Sequence, residues 1–283
     1  MNPDDDKARN EATCRPGGRG PQPPPVSRRP AGWEPEYVDR LVGWLRDRAV
    51  EAGAAGAVFG LSGGIDSSVV AAVCARAFPG ECLGLILPCG SAPEDAAHAR
   101  LVADEFGVPV KVVPLDGVYE AILRAIGGEA GPGVGPGLPD GTDRRRGLSL
   151  ANLRARLRAV TWYFHANLLN RLVVGSGNRA ELSVGYFTKY GDGAVDVLPL
   201  GNLVKGEVRA LARHLGVPEP VIAKPPTAGL WPGQTDEGEM GVTYELLDRF
   251  LLGGRVPEET SGRIREMVAR SEHKRRVPAI PDF

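Results

Sequence analysis

"GLSGGIDSS", residues 60–68, stands between the apolar run "AAGAVF" (54–59) and the helix-like apolar run "VVAAVCARAF" (69–78). A strand that passes into a helix through such a bend leaves backbone N–H groups unpaired beside the positive end of a helix macrodipole, which suits an anion. Gly63 and Gly64 let the main chain come close to a phosphate, and Ser62, Ser67 and Ser68 bring hydroxyl donors. A Walker A loop requires a lysine that is missing here, and the G-x-G-x-x-G dinucleotide fingerprint is absent too. Asp66 would repel a phosphate unless a divalent cation lay between them, and Mg²⁺ fits that place. The competing interpretation is a tight strand-to-helix turn with Asp66 or Ser67 as N-cap.

Outward from the bend, "AGAVFGL" (55–61), "ECLGLILP" (81–88), "VPVKVVPL" (108–115) and "NRLVVGSG" (170–177) are short apolar runs bounded by Gly, Pro or polar residues. Helical patterns such as "SSVVAAVCARAF" and "PEDAAHARLVADEF" separate them, so the spacing predicts βαβ units: an α/β fold with a doubly wound parallel sheet flanked by helices. Such sheets bind ligands beyond the carboxyl ends of their strands. An opening helix is expected over 34–53, with Tyr37, Leu41, Trp44, Leu45 and Val50 on its apolar side. Another is expected over 148–170, with Leu153, Leu157, Val160, Trp162 and Phe164 available for packing, and further helices near 205–216 and 243–251. Residues 1–32, rich in Pro, Gly and Arg, are expected to be a disordered tail, and 33–283 a single domain. Within it the Gly/Pro run 127–147 is expected to be a flexible lid or a disordered loop.

The 34 basic and 35 acidic residues nearly cancel, so no overall field draws nucleic acid or an anionic membrane. No apolar stretch reaches the roughly 18–20 residues of a membrane helix, and "MNPDDDK" lacks the character of a signal peptide. Cys14, Cys74, Cys82 and Cys89 show no C-x-x-C spacing. A cytoplasmic protein with neither nucleic-acid nor membrane partners is expected.

"SGGIDSS" resembles the S-G-G-x-D-S pyrophosphate loop of the ATP pyrophosphatase superfamily, whose members cleave ATP between its α and β phosphates. Three further stretches, residues 178–200, 224–251 and 271–278, are similar to the ammonia-dependent NAD synthetases. The resemblance implies an adenine nucleotide alpha hydrolase-like (Rossmann-like) fold, and amidation of deamido-NAD by ammonia through an adenylated intermediate. It implies ATP as co-substrate, held by Gly60, Leu61, Ser62, Gly63, Gly64, Ile65, Asp66, Ser67, Ser176, Lys205 and Thr227, and Mg²⁺ held by Asp66 and Glu181. It further implies deamido-NAD contacts from Arg156, Lys189, Asp196, His273 and Lys274, and a role for Asp192 in orienting or deprotonating ammonium. A homodimer is implied. About 60 residues precede the bend, too few for an amidase domain, so ammonia is expected free or from a separate glutaminase subunit.

Plainer roles compete. Lys189 and Lys205 can be solvated lysines, Asp192 a turn residue between glycines, and His273 to Arg276 a frayed basic tail. Trp44, Trp162 and Phe164 are expected in the core or a subunit interface rather than at a cofactor, and His98 and His165 as packing or surface residues. A tRNA thiolase would bring paired catalytic cysteines and a basic RNA-binding surface, which are not seen, and a non-catalytic nucleotide sensor would not require both Asp66 and Glu181.

Overall fold

The computed structural model describes residues 29–126, 142–227 and 235–281. Most of the expected tail, Cys14 and residues 127–141 of the Gly/Pro run lie outside the described residues. The four apolar runs each form a strand: β1 (Ala57–Gly60), β2 (Cys82–Ile86), β3 (Val110–Val112) and β4 (Leu172–Val173). They pair in parallel in the order β3-β2-β1-β4, with Ala57 opposite both Cys82 and Leu172. Period-two alternation along β1 sends Ala57 and Phe59 into one apolar cluster and Val58 into another, as a sheet covered on both faces requires.

The helices are α1 (Glu34–Ala52), α2 (Ile65–Ala77), α3 (Pro93–Phe106), α4 (Asp116–Ala125), α5 (Thr142–Leu169), α6 (Arg179–Val184), α7 (Lys205–Leu215), α8 (Glu219–Ile222), α9 (Asp236–Met240), α10 (Tyr244–Leu251) and α11 (Glu258–Arg270). One large cluster joins α1, α2, α3 and α7 to the sheet; a second joins the opposite face to α4 and α5; a third gathers α6, α10 and α11. From β1 the chain steps outward through β2 to β3, then returns along α5 to place β4 on the other side of β1. The connections after β1 and β4 therefore diverge, opening a crevice at the carboxyl ends of the two strands.

Three expectations are corrected. Residues 142–147, placed at the end of the Gly/Pro run, already belong to α5. On α1 the buried residues are Val38, Leu41, Leu45 and Ala49, while Trp44 and Val50 are exposed. On α5 Leu153, Leu157 and Trp162 pack against the core as expected, beside the buried Ala151, Ala155, Ala159 and Ala166, whereas Val160, Phe164 and Leu168 are 68%, 63% and 70% exposed. One large side chain reaches the sheet because β1 carries a glycine opposite it: a Cβ added at Gly60 would come within 2.9 Å of the Trp162 ring.

Candidate functional site

The bend of residues 60–68 is shaped by its glycines. Gly63 has φ +77°, a left-handed conformation that costs other residues energy, and a Cβ there would lie 2.3 Å from the Asp95 carbonyl oxygen on α3. Gly64, in extended conformation, is the N-cap of α2 and makes no side-chain cap bond, so neither Asp66 nor Ser67 caps the helix. Ser67 Oγ donates to the Gly64 carbonyl at 2.9 Å and accepts the Ser62 N–H at 3.2 Å, so side chains brace the bend. Ser68 also donates to Gly64 O and is fully buried, which removes it from the expected phosphate donors.

Behind the bend, Asp66 meets the element that follows β4. Asn178 and Glu181 form a capping box at the start of α6: Asn178 Oδ1 accepts the Glu181 N–H and Glu181 Oε2 accepts the Asn178 N–H. The fully buried Asn178 also donates its amide to Asp66 Oδ1 at 3.0 Å. Lys205, at the start of α7 and only 2% exposed, places Nζ 2.5 Å from Asp66 Oδ2 and 3.4 Å from Glu181 Oε1. Its ammonium also sits 4.8 Å from the centre of the Tyr244 ring. Burial alone would pull the Lys205 ammonium down, but Asp66 and Glu181 outweigh it and hold the group above its ordinary range. Burial is also the largest influence on Glu181, pushing its carboxyl up to about 8 against the pull of Lys205. Tyr244 donates to Asp236 Oδ2 at 2.9 Å; Asp236 Oδ1 is buried and has no hydrogen-bond partner among the described residues.

Asp66, Glu181, Lys205 and Asp236 line a cavity of about 470 Å³. Of the residues expected at the site, Gly60, Leu61, Ser62, Gly64, Ile65, Asp66, Ser67, Ser176, Glu181, Asp192, Lys205, Thr227 and Lys274 form its wall. Gly63 shapes the bend without lining the cavity. Asp192 accepts the Thr188 N–H at 2.8 Å, and Lys274 Nζ donates to the Gly185 and Phe187 carbonyls. Arg156, Lys189, Asp196 and His273 are not in the wall. Lys189 donates to the His273 carbonyl at 2.7 Å and Arg156 reaches the Lys189 carbonyl at 3.4 Å, so these three make one outer patch beside Lys274. The Asp196 carboxylate accepts from Tyr163 Oη and from the β4 N–H of Val173, an anchoring role for the loop after β4.

Other lining residues were not legible in the sequence. Trp162, expected in the core or an interface, borders the cavity with a buried indole N–H that has no partner among the described residues. Arg158 donates to the Leu87 carbonyl and to Ser91 Oγ, bracing the loop after β2. Asp95, Lys224 and Asp236 complete the polar wall. The N-x-x-E spacing of "NRAE" is a sequence signal for the box at Asn178; nothing local marks Trp162, Lys224 or Asp236. His165 is a packing residue, as expected, with Nδ1 2.9 Å from the Thr161 carbonyl.

A glycine bend at a strand-to-helix junction, with ammonium and carboxylate groups gathered beyond it at the switch point of a parallel sheet, defines a nucleotide-binding protein of the doubly wound class. The sequence model of the NAD synthase family matches residues 37–278, and the chain belongs to that family. It is 48% identical over 249 residues to an NH(3)-dependent NAD(+) synthetase of Carboxydothermus hydrogenoformans, covering 88% of this chain and 98% of that one. It is 44% identical to the protein of the same name from Archaeoglobus fulgidus, over 87% and 96% of the two chains. Among solved structures, the NMN synthetase of Francisella tularensis superposes with a TM-score of 0.79 at 38% identity, covering 88% of this chain and 99% of that one.

Proposed function

We infer that the protein is an ammonia-dependent NAD synthetase, a ligase that amidates deamido-NAD at the expense of ATP. The observation that carries this reading is the convergence of Asp66, Glu181 and Lys205 behind the bend of residues 60–67 in one cavity. In this reading the bend wraps the β and γ phosphates of ATP. The substrate carboxylate attacks the α phosphorus, pyrophosphate leaves, and ammonia displaces AMP from the activated carbonyl. Lys205 offsets negative charge growing on phosphoryl oxygens in a site sheltered from water. Ser176 and Thr227 hold the nucleotide, and Asp192 orients or deprotonates ammonium.

Among the described residues no group of three or more His, Cys, Asp or Glu is placed to hold a metal. Mg²⁺ commonly takes one or two carboxylates and fills its remaining positions with phosphates and water. The pair Asp66 and Glu181, already drawn to one shared cation, fits that requirement, and a bound Mg²⁺ would supply charge neutralisation at the phosphates.

The assembly in this reading is a homodimer. Val160, Phe164 and Leu168 make an exposed apolar stripe along α5, and the deamido-NAD residues Arg156, Lys189 and His273 lie on the outer surface. A second copy covering that face would complete the substrate site. Among the described residues no helix is long and apolar enough to cross a membrane. The three described cysteines are buried thiols, in keeping with a cytoplasmic enzyme. Ammonia comes free or from a separate glutaminase.

The Francisella tularensis neighbour's name favours a second reading in which nicotinate mononucleotide, rather than the dinucleotide, is amidated. One assay separates the two. Purified protein is given ATP and Mg²⁺ with deamido-NAD or nicotinate mononucleotide, and with ammonium or glutamine. NAD, AMP and pyrophosphate from deamido-NAD and ammonium are expected. Faster turnover of the mononucleotide would support the second reading, and ADP in place of AMP would overturn both.

A further inference from the structure

Besides Lys205 and Lys274 the cavity wall contains a third ammonium, outside the residues assigned to ATP or deamido-NAD above. Lys224, in the segment after α8, pairs through Nζ with Oδ1 of Asp95 in the first turn of α3, and both side chains are about four-fifths buried, at 22% and 19% exposed. The pair adjoins the bend, because the Asp95 carbonyl oxygen is the atom a Cβ at Gly63 would strike. Lys224 and Asp95 line the same cavity as Ser62, Gly64, Asp66 and Ser67. Asp66 and Glu181 hold Lys205, whereas Asp95 is the one ion-pair partner of Lys224 among the described residues. Pro225 and Pro226 follow, stiffening the connection from Lys224 to the cavity residue Thr227.

We propose that Lys224 is a pyrophosphate-binding residue of this site, its ammonium passing from Asp95 to the leaving pyrophosphate, with Asp95 as the positioning residue that takes it back on product release. The inference rests on the reading that ATP is cleaved between the α and β phosphates. In that step an oxygen of the substrate carboxylate bonds to the α phosphorus as the bond from that phosphorus to the bridging oxygen breaks. The electron pair stays on pyrophosphate and no proton is transferred. Charge thus accumulates on the leaving group, where a largely buried ammonium is worth more than one in water. A single carboxylate loses the competition for that ammonium to a polyanion, and regains it once the polyanion departs.

The test uses the full chain and inorganic pyrophosphate with Mg²⁺, read by calorimetric binding and by inhibition against ATP. Lys224→Met is expected to weaken both by about ten- to a hundredfold, the loss of a hydrogen bond to a charged group, with the KM for deamido-NAD little changed. Lys224→Arg should restore most of the binding. Asp95→Asn removes the competing charge and should tighten pyrophosphate binding several-fold, opposite in sign to what a merely structural role would give. Should Lys224→Met fail to fold, the Arg and Asn variants decide. Unaltered pyrophosphate binding in Lys224→Met, or weaker binding in Asp95→Asn, would overturn the proposal. If the wild type makes NAD but these results are negative, this inference alone fails; if the wild type yields no AMP from ATP, the functional reading fails first.

Discussion

Asp66 receives the Asn178 amide on one carboxylate oxygen and the Lys205 ammonium on the other, so two residues far from it in sequence fix its side chain. The hydrogen-bonded partners set its direction before any ligand arrives, the preorganisation that makes charge stabilisation effective. In Lys205→Met the carboxylates lose their counter-charge and the phosphates lose theirs, and kcat is expected to fall about 10²- to 10³-fold. Steady-state kinetics checks this, and a fall of less than about threefold would exclude the role. Gly63→Ala puts a Cβ against the Asp95 carbonyl in a left-handed backbone, and should cost about 2 kcal/mol in a denaturant melt. At this scale the bend was legible, because strand, glycines, acid and helix are contiguous. Asp95, Trp162, Lys224 and Asp236 were not, since each reaches the cavity only through packing between segments far apart in sequence.

The elements show what apolar patterning can and cannot tell. All four strands were legible because each is a short apolar run flanked by breakers; β1, β2 and β4 are also largely buried, whereas the edge strand β3 is exposed. For α5, the expected Leu153, Leu157 and Trp162 do pack inward together with alanines, while Val160, Phe164 and Leu168 point outward. Residue size alone does not mark which apolar side chains of this helix face the sheet. The short α6 depends on its capping box, and Asn178→Ala removes both the cap and the Asp66 contact. A loss of about 1 kcal/mol or more is expected from the cap alone. An unchanged melting midpoint would show that α6 is held by packing instead.

For the whole molecule, the exposed stripe on α5 and the outer patch of Arg156, Lys189 and His273 make a prediction about assembly. Sedimentation should find a dimer, and Phe164→Asp should shift it toward monomer while raising the KM for deamido-NAD more than that for ATP. A wild-type protein that is monomeric and fully active would remove the dimer from the account. Near-neutral net charge, by contrast, was a whole-chain property that carried little about the site, because the charges that matter are gathered within one cavity.

In the proposed function Asp66, at the start of α2, joins the bend to a divalent cation on the nucleotide. The most direct measurement is the Mg²⁺ dependence of NAD formation in Asp66→Asn, which preserves the size of the side chain. Turnover at low Mg²⁺ is expected to fall at least about 100-fold, with the Mg²⁺ midpoint moved upward and the fold intact by circular dichroism. Amidation at the wild-type rate with an unshifted Mg²⁺ midpoint would contradict it.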